Sequence, residues 1–475
     1  MLKRSVGNIK PNLEVDMPQP QVKILSSPQD KHNQSIVQDK VEKTDNHVDV
    51  DQDFLQKLAE HGGSAEELQK RRKKALAEID ELRSQNRWED IVTLLYPLER
   101  QAPELVQAGL DREVRSEVAF ALGQTGRHDQ AIAEYETCTQ ADPESFLAAS
   151  GLAYALYNSL FAAKNREILI TPDTKRQRME KAHAWFAKAQ QLRPDGVTNF
   201  YRQGMLYKNL QGKIRLALPL FAKAVENWRA YPPEKQEVRH QERKNYIKSL
   251  YNLASCRSKI EEVKGALPLI EECIQEDESS GLLKMEHKYF ALGKIHYQLD
   301  NMDQALKAFE MAAGFTNAKD GDYVFELKAR VYLKKKDFQA GLSALRCIPF
   351  KARRPYVHWT EADLLVGMGQ VGEAKEILHR SAKNDRRSRH KSLIRLAKIA
   401  FWSKEFQQAL ELAKEADDFH RETFVTPDPD GLFWSAAACI RLGSLEQAGR
   451  IADELEAFRP AYPYLSKLRR LCQRI

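Results

Sequence analysis

The 475-residue sequence has no cysteine pairing of the kind that metals or disulfide scaffolds need. Its six cysteines, Cys138, Cys256, Cys273, Cys347, Cys439 and Cys472, are scattered with no C-x-x-C among them. That pattern excludes a disulfide framework and a zinc ribbon, and it fits a reducing compartment. Lone cysteines such as Cys273 and Cys347 read as small buried hydrophobes. No run approaches the ~18 consecutive apolar residues of a transmembrane helix. The start, Met1-Leu2-Lys3-Arg4-Ser5, does not lead into the apolar core of a secretory signal. A cytoplasmic protein without membrane insertion is therefore expected. The twelve histidines show no metal-ligand spacing, and neither H-E-x-x-H nor G-x-S-x-G occurs. No catalytic residue, metal or cofactor is expected, and the chain reads as a non-enzyme.

Residues 1–52 are rich in Pro, Gln, Asp, Asn, Lys and Ser, with sparse and aperiodic apolar residues. Such a segment cannot bury enough apolar surface to offset its ordering entropy, so a disordered N-terminal tail is expected. Asp51 to Gly63 reads as a short helix. Ser64 and Glu67 have capping-box spacing and open a helix expected to reach about Ser84.

Beyond the tail, residues 53–475 repeat one pattern. Small residues recur at Ala131, Ala182, Ala217, Ala266, Ala305, Gly341, Ala374, Ala409 and Ala448, with Ile91 in a degenerate first unit. A second small series, Ala119, Gly204, Ala254, Gly293, Ala329, Ala362, Ala397 and Ala436, precedes these by about one hairpin arm. Large residues follow the first series by four: Leu95, Tyr135, Phe186, Phe221, Ile270, Phe309, Leu345 and Leu378. Pro103, Pro143, Pro194 and Pro460 close units. Antiparallel helices approach closely only where both carry small side chains, and a large residue one turn later fills the space where they diverge. Proline stops the second helix. One such hairpin cannot bury its apolar face alone, so the units must stack.

This spacing resembles the tetratricopeptide repeat, best at Gly293, Ala305, Phe309 and Ala312, and again at Gly126 to Ala131 with Tyr135 and Pro143. The resemblance covers residues 72–461. It implies an all-α, right-handed superhelical solenoid of about ten helix-turn-helix repeats. Residues 463–475, with Leu465, Leu468 and Leu471 among Lys467, Arg469, Arg470 and Arg474, resemble the capping helix such an array needs. In that family the first helix of each unit lines a concave surface. Transferred to this register, the inner positions are Tyr154, Tyr157, Tyr201, Tyr251, Phe290, Lys294, Tyr297, Arg330, Trp359, Lys391, Arg395, Lys398 and Trp402. One subclass grips a partner's C-terminal carboxylate with a five-residue clamp. The matching positions here are Glu326, Arg330, Thr360, Lys391 and Arg395, and only the last two fit.

Gly367-Met368-Gly369-Gln370-Val371-Gly372 spells a dinucleotide-binding fingerprint, but it falls where a repeat turns between its helices, and no strand–helix alternation surrounds it. A turn is expected. The formal charge of +7 is unevenly spread: residues 328–398 carry +12 and all the rest −5. The densest stretch contains Arg353, Arg354, Lys383, Arg386, Arg387 and Arg389. An interaction scaffold that binds acidic peptide segments or helices in its groove is the first expectation. Single-stranded nucleic acid, with Trp359 and Trp402 stacking on bases, is the second. The oligomeric state is not legible.

Overall fold

The computed structural model describes residues 65–260 and 262–472, and the expected tail, the 51–63 helix and the Ser64 cap lie outside them. The chain divides into two compact units, residues 1–249 and 250–475. The first holds α1 (Ala65–Ser84), α2 (Trp88–Leu95), α3 (Leu98–Gln101), α4 (Pro103–Gln107), α5 (Arg112–Gln124), α6 (His128–Ala141), α7 (Phe146–Asn165) and α8 (Pro172–Leu192). It continues through α9 (Thr198–Met205), a π-helical turn at Leu206–Leu210, α10 (Ile214–Arg229), α11 (Pro233–Val238) and α12 (His240–Lys259), within which the division falls. The second unit continues with α13 (Val263–Glu276), α14 (Met285–Gln298), α15 (Met302–Gly314), α16 (Asp322–Lys335), α17 (Phe338–Arg346) and α18 (Pro355–Gly367). It ends with α19 (Val371–Asn384), α20 (Arg389–Trp402), α21 (Phe406–Phe424), α22 (Pro429–Arg441), α23 (Leu445–Phe458) and α24 (Leu465–Cys472). Every described regular element is helical, and successive helices pair into hairpins within each unit, such as α5–α6 and α7–α8 in the first and α20–α21 and α22–α23 in the second.

The small-residue series forms the seam within the hairpins. Ala119, Ala131, Ala182, Ala217, Ala254, Ala266, Ala305, Ala329, Ala374, Ala397, Ala436 and Ala448 have no exposed surface. At Phe221 and Phe309 the large residue four positions on does more than fill a diverging gap: its ring lies directly on the glycine of the first helix. A Cβ placed on Gly204 would lie 2.7 Å from the Phe221 ring, and one on Gly293 2.7 Å from Phe309. Neighbouring hairpins interlock in the same way, since a Cβ on Gly151 would meet Tyr135 of the preceding hairpin at 2.2 Å.

A second constant is the turn between paired helices. Asn86, Gly126, Gly212, Asp300, Lys336, Gly369, Lys404 and Gly443 all have positive φ, and each stands five residues before the seam residue of its second helix. In seven of these turns the following N–H donates to the carbonyl five residues back at 2.9 Å, as in Arg127 to Leu122 and Gln370 to Leu365. This closes the first helix by satisfying a terminal carbonyl. At Gly212 the π-helical turn adds one residue, and Lys213 donates to Tyr207. The fingerprint-like glycines are one such turn. Gly369 takes the left-handed conformation, and Gly367 ends α18 against the Phe338 ring.

Three expectations need correction. Pro103 does not close a unit but opens α4 at its first position, where a missing N–H costs nothing. Cys347 is exposed, not buried, because it follows the last residue of the short helix α17. The third concerns membrane-spanning length. Helix α7 is long and apolar enough to cross a bilayer, although 67% of its apolar window is buried inside the protein. At the other end α24 seats Leu465 and Leu468 on Leu432, Ala436, Ala452 and Leu455, while Leu471 stays exposed.

The seam makes opposite demands on two glycines. Gly293→Val is expected to cost about 1–3 kcal/mol through forced displacement of Phe309. Gly449→Ala, inside α23 with open space around its Cβ, should stabilise by about 0.5–1 kcal/mol. Urea unfolding of both variants checks this, and equal effects would contradict the packing account.

Candidate interaction surface

In the second unit the first helices of successive hairpins are tied by polar rungs at nearly constant spacing. Tyr356 donates to Asp322 Oδ2 at 2.7 Å, the Trp359 indole N–H donates to Ser392 Oγ at 2.8 Å, and Arg395 Nε donates to Asp363 at 3.2 Å. Glu326, fully buried, accepts from both Arg330 Nε and Thr360 Oγ1. A buried carboxylate needs such partners, because an unpaired charge out of water is strongly destabilising.

These rungs reassign several residues expected to line a groove. Trp359 is buried and fixed by Ser392, so its face is closed to a ligand. Tyr201, in the first unit, is buried with its ring against Phe221. Four of the five clamp-like positions are used internally: Glu326, Arg330 and Thr360 with one another, and Arg395 with Asp363. Phe290 lies edge-on to Tyr323, and Tyr297 lies beneath the Lys334 ammonium at 4.9 Å. Tyr251 and Lys294 are half-buried.

The basic sector is also partly spent. Of its cations, Lys328, Arg330, Lys334, Lys335, Arg353, Arg354, Lys375, Arg389 and Arg395 form ion pairs. Arg353 is a strut rather than a patch residue. It grips Glu361 at 3.0 Å and donates to the carbonyls of Leu345 and Ile348. Arg354 reaches Asp322, and Arg389 pairs with Glu415. Lys383, Arg386 and Arg387 remain exposed at the turn from α19 to α20, with no ion pair among the described residues.

What stays available is a cluster on α20 and α22. Lys391 and Lys398 have no ion pair among the described residues. Trp402 is 57% exposed and stands edge-on to Trp434, with ring centres 6.1 Å apart. The Lys398 ammonium lies 5.6 Å from the Trp434 ring, and Phe401 and Phe433 pack on the same indole. Burial lowers the Lys398 pKa, opposed by nearby Asp430. A carboxylate beside this ammonium would relieve that cost. Trp434 stands two residues before the seam residue Ala436, as Arg395 stands before Ala397, so the inner register of α20 carried on to α22 would have found it.

Behind the cluster His390 is buried against Phe419, His420 and Phe424 of α21. Burial, with Lys391 and His420 nearby, holds its pKa down to about 3 against the weaker pull of Asp385 and Asp430. Above pH ~6.5 the group is neutral whether folded or unfolded. As pH falls below that, only the unfolded chain takes the proton, so stability drops. Urea unfolding at pH 7.5 and 5 should show a loss from this group of at most about 1.4 kcal/mol per pH unit. His390→Leu should lose less over the same interval, and an unchanged slope would contradict a buried neutral imidazole.

Residues 116–145, spanning α5 and α6, match the tetratricopeptide-repeat family. Comparison with curated proteins gives no match. Solved structures similar to the chain include a tetratricopeptide repeat protein from Parabacteroides merdae (11% identity, 57% of this chain and 98% of that one, TM-score 0.43). Pseudomonas aeruginosa pilF is another (14% identity, 50% and 89%, TM-score 0.35). So is a human IFIT1 dimer with PPP-AAAA (16% identity, 82% and 88%, TM-score 0.37).

Proposed function

We propose that this chain, a tetratricopeptide-repeat protein, is a non-enzymatic scaffold that binds a peptide segment or helix of a partner protein. The observation that carries the reading is the α20–α22 cluster, where exposed Trp402 and half-buried Trp434 stand with the Lys398 ammonium over the Trp434 ring, and Lys391 lies nearer the start of α20; neither lysine has an ion pair among the described residues. Aromatic surface supplies contact area at low entropic cost, and the two lysines favour an acidic partner. Lys383, Arg386 and Arg387 extend the positive field along the preceding turn and would speed encounter with such a partner. The free state of all six cysteines, with Cys347 exposed, supports a reducing, cytoplasmic setting.

Single-stranded nucleic acid is the weaker reading. It relies on stacking, and Trp359 is fixed inside the fold. Filter binding with single-stranded RNA at low and high salt, on wild type and on Arg386→Glu with Arg387→Glu, decides it. Steep salt-sensitive binding that the double change abolishes would favour RNA.

The test of the scaffold is affinity capture with wild type and a Lys391→Ala, Lys398→Ala, Trp402→Ala variant. Each change spares the interior, so the fold should persist. At least one partner should weaken by roughly tenfold or more, as expected for loss of an aromatic anchor. Retention of every partner would place the binding face elsewhere.

A further inference from the structure

Two arginines are buried in the first unit, and they are treated in opposite ways. Arg115, 4% exposed, is met by three carboxylates: Asp111 at 2.6 Å, Glu134 at 2.5 Å and Glu99 at 2.8 Å. Arg202, 6% exposed, forms no ion pair among the described residues, and its Nη1 has no hydrogen-bond partner. Its guanidinium lies 3.7 Å from the centre of the Tyr154 ring. The groups that act on it electrostatically are Tyr154, Tyr157, Tyr201 and Tyr135, with no carboxylate among them.

A cation–π contact offsets part of the cost of burying a guanidinium, but not what a carboxylate would supply. Burial accordingly lowers the Arg202 pKa, whereas the three carboxylates around Arg115 outweigh burial and raise the Arg115 pKa. The surroundings of Arg202 have the form of half a site. Rings extend from Tyr154 through Phe120 to Trp88 in one direction, and through Tyr157 to Phe161 in the other. Trp88, Tyr157 and Phe161 are half-buried, so this ladder keeps an accessible edge.

We propose that Arg202, stacked on Tyr154, is the recognition residue for an acidic side chain of a partner polypeptide, whose apolar neighbours lie along the ring ladder. A guanidinium held flat on a ring presents its N–H edge in the fork geometry that fits a carboxylate. Aromatic surface on both sides suits a residue inside a chain rather than at its end. The charge is matched to a monoanion. The nearby Lys164 is turned onto Phe161 and donates to the Asn209 carbonyl, so it does not serve as a second cation for a phosphate dianion.

This rests on the reading of the chain as a polypeptide-binding scaffold, but the site lies in the first unit, apart from the α20–α22 cluster. Its first test needs no partner. If Arg202 waits for an absent anion, Arg202→Met removes an uncompensated charge at nearly constant volume. The full chain should then melt higher than wild type. A variant that melts lower, or does not fold, shows that the guanidinium stabilises the empty protein and overturns the proposal.

The second test uses titration calorimetry with an acetylated, amidated phenylalanine–glutamate–phenylalanine tripeptide, its glutamine counterpart, and inorganic phosphate. The glutamate tripeptide should bind wild type about tenfold or more tighter than it binds Arg202→Met, and the glutamine tripeptide should not distinguish the two. Equal binding of glutamate and glutamine peptides, or tighter binding of phosphate, would overturn the carboxylate assignment. Failure here with an intact α20–α22 partner would leave the scaffold reading standing. The converse would isolate the fault in the second unit.

Discussion

The fold depends on one steric arrangement: a glycine or alanine of the first helix lying flat beneath the large residue of the second. Where the pair is Gly204 with Phe221 or Gly293 with Phe309, even a methyl group would intrude. This contact sets the separation of paired helices. That separation determines how far apart consecutive first helices stand, and so which side chains can reach across. The left-handed turn five residues before each seam residue supports the same geometry from the other end. It closes the first helix at a fixed point and starts the second in a fixed direction.

Because the helices are held at this spacing, charge on their faces is largely committed to the fold. Glu326 bridges Arg330 and Thr360, Asp363 takes Arg395, and Arg353 braces Glu361 against two carbonyls. A dense run of arginine and lysine in sequence is therefore a poor measure of the positive surface left for a partner. The informative cations include half-buried Lys398 in one unit and buried Arg202 in the other, neither with an ion pair among the described residues. Lys398 and Arg202 lie beside aromatic rings, so charge and apolar contact are offered together there.

The seam was legible in the sequence because steric exclusion admits few residue types, and glycine, alanine and the following aromatic record it at regular intervals. The turns were half legible. Gly126, Gly369 and Gly443 mark them, but Asn86, Asp300, Lys336 and Lys404 adopt the same conformation without that signature. The proposed binding face was the least legible. A register error of one residue turns a helix face by ~100°, and Trp359, expected on the inner face, lies buried instead; Trp434 was passed over because the inner register of α20 was not carried on to α22. Ion pairs such as Arg395 with Asp363 join residues about one repeat apart, and their existence depends on helix spacing that composition does not encode.

The central claim is that partners engage the first-helix face of the C-terminal hairpins and not the second-helix face. A photoreactive benzoylphenylalanine placed at Trp402 on α20, and separately at exposed Glu376 on α19, tests it directly in cells. The account predicts that position 402 cross-links a partner polypeptide, that this product disappears when Lys391 and Lys398 are both alanine, and that position 376 yields none of it. Cross-linking of that partner from position 376 with none from 402 would contradict the account.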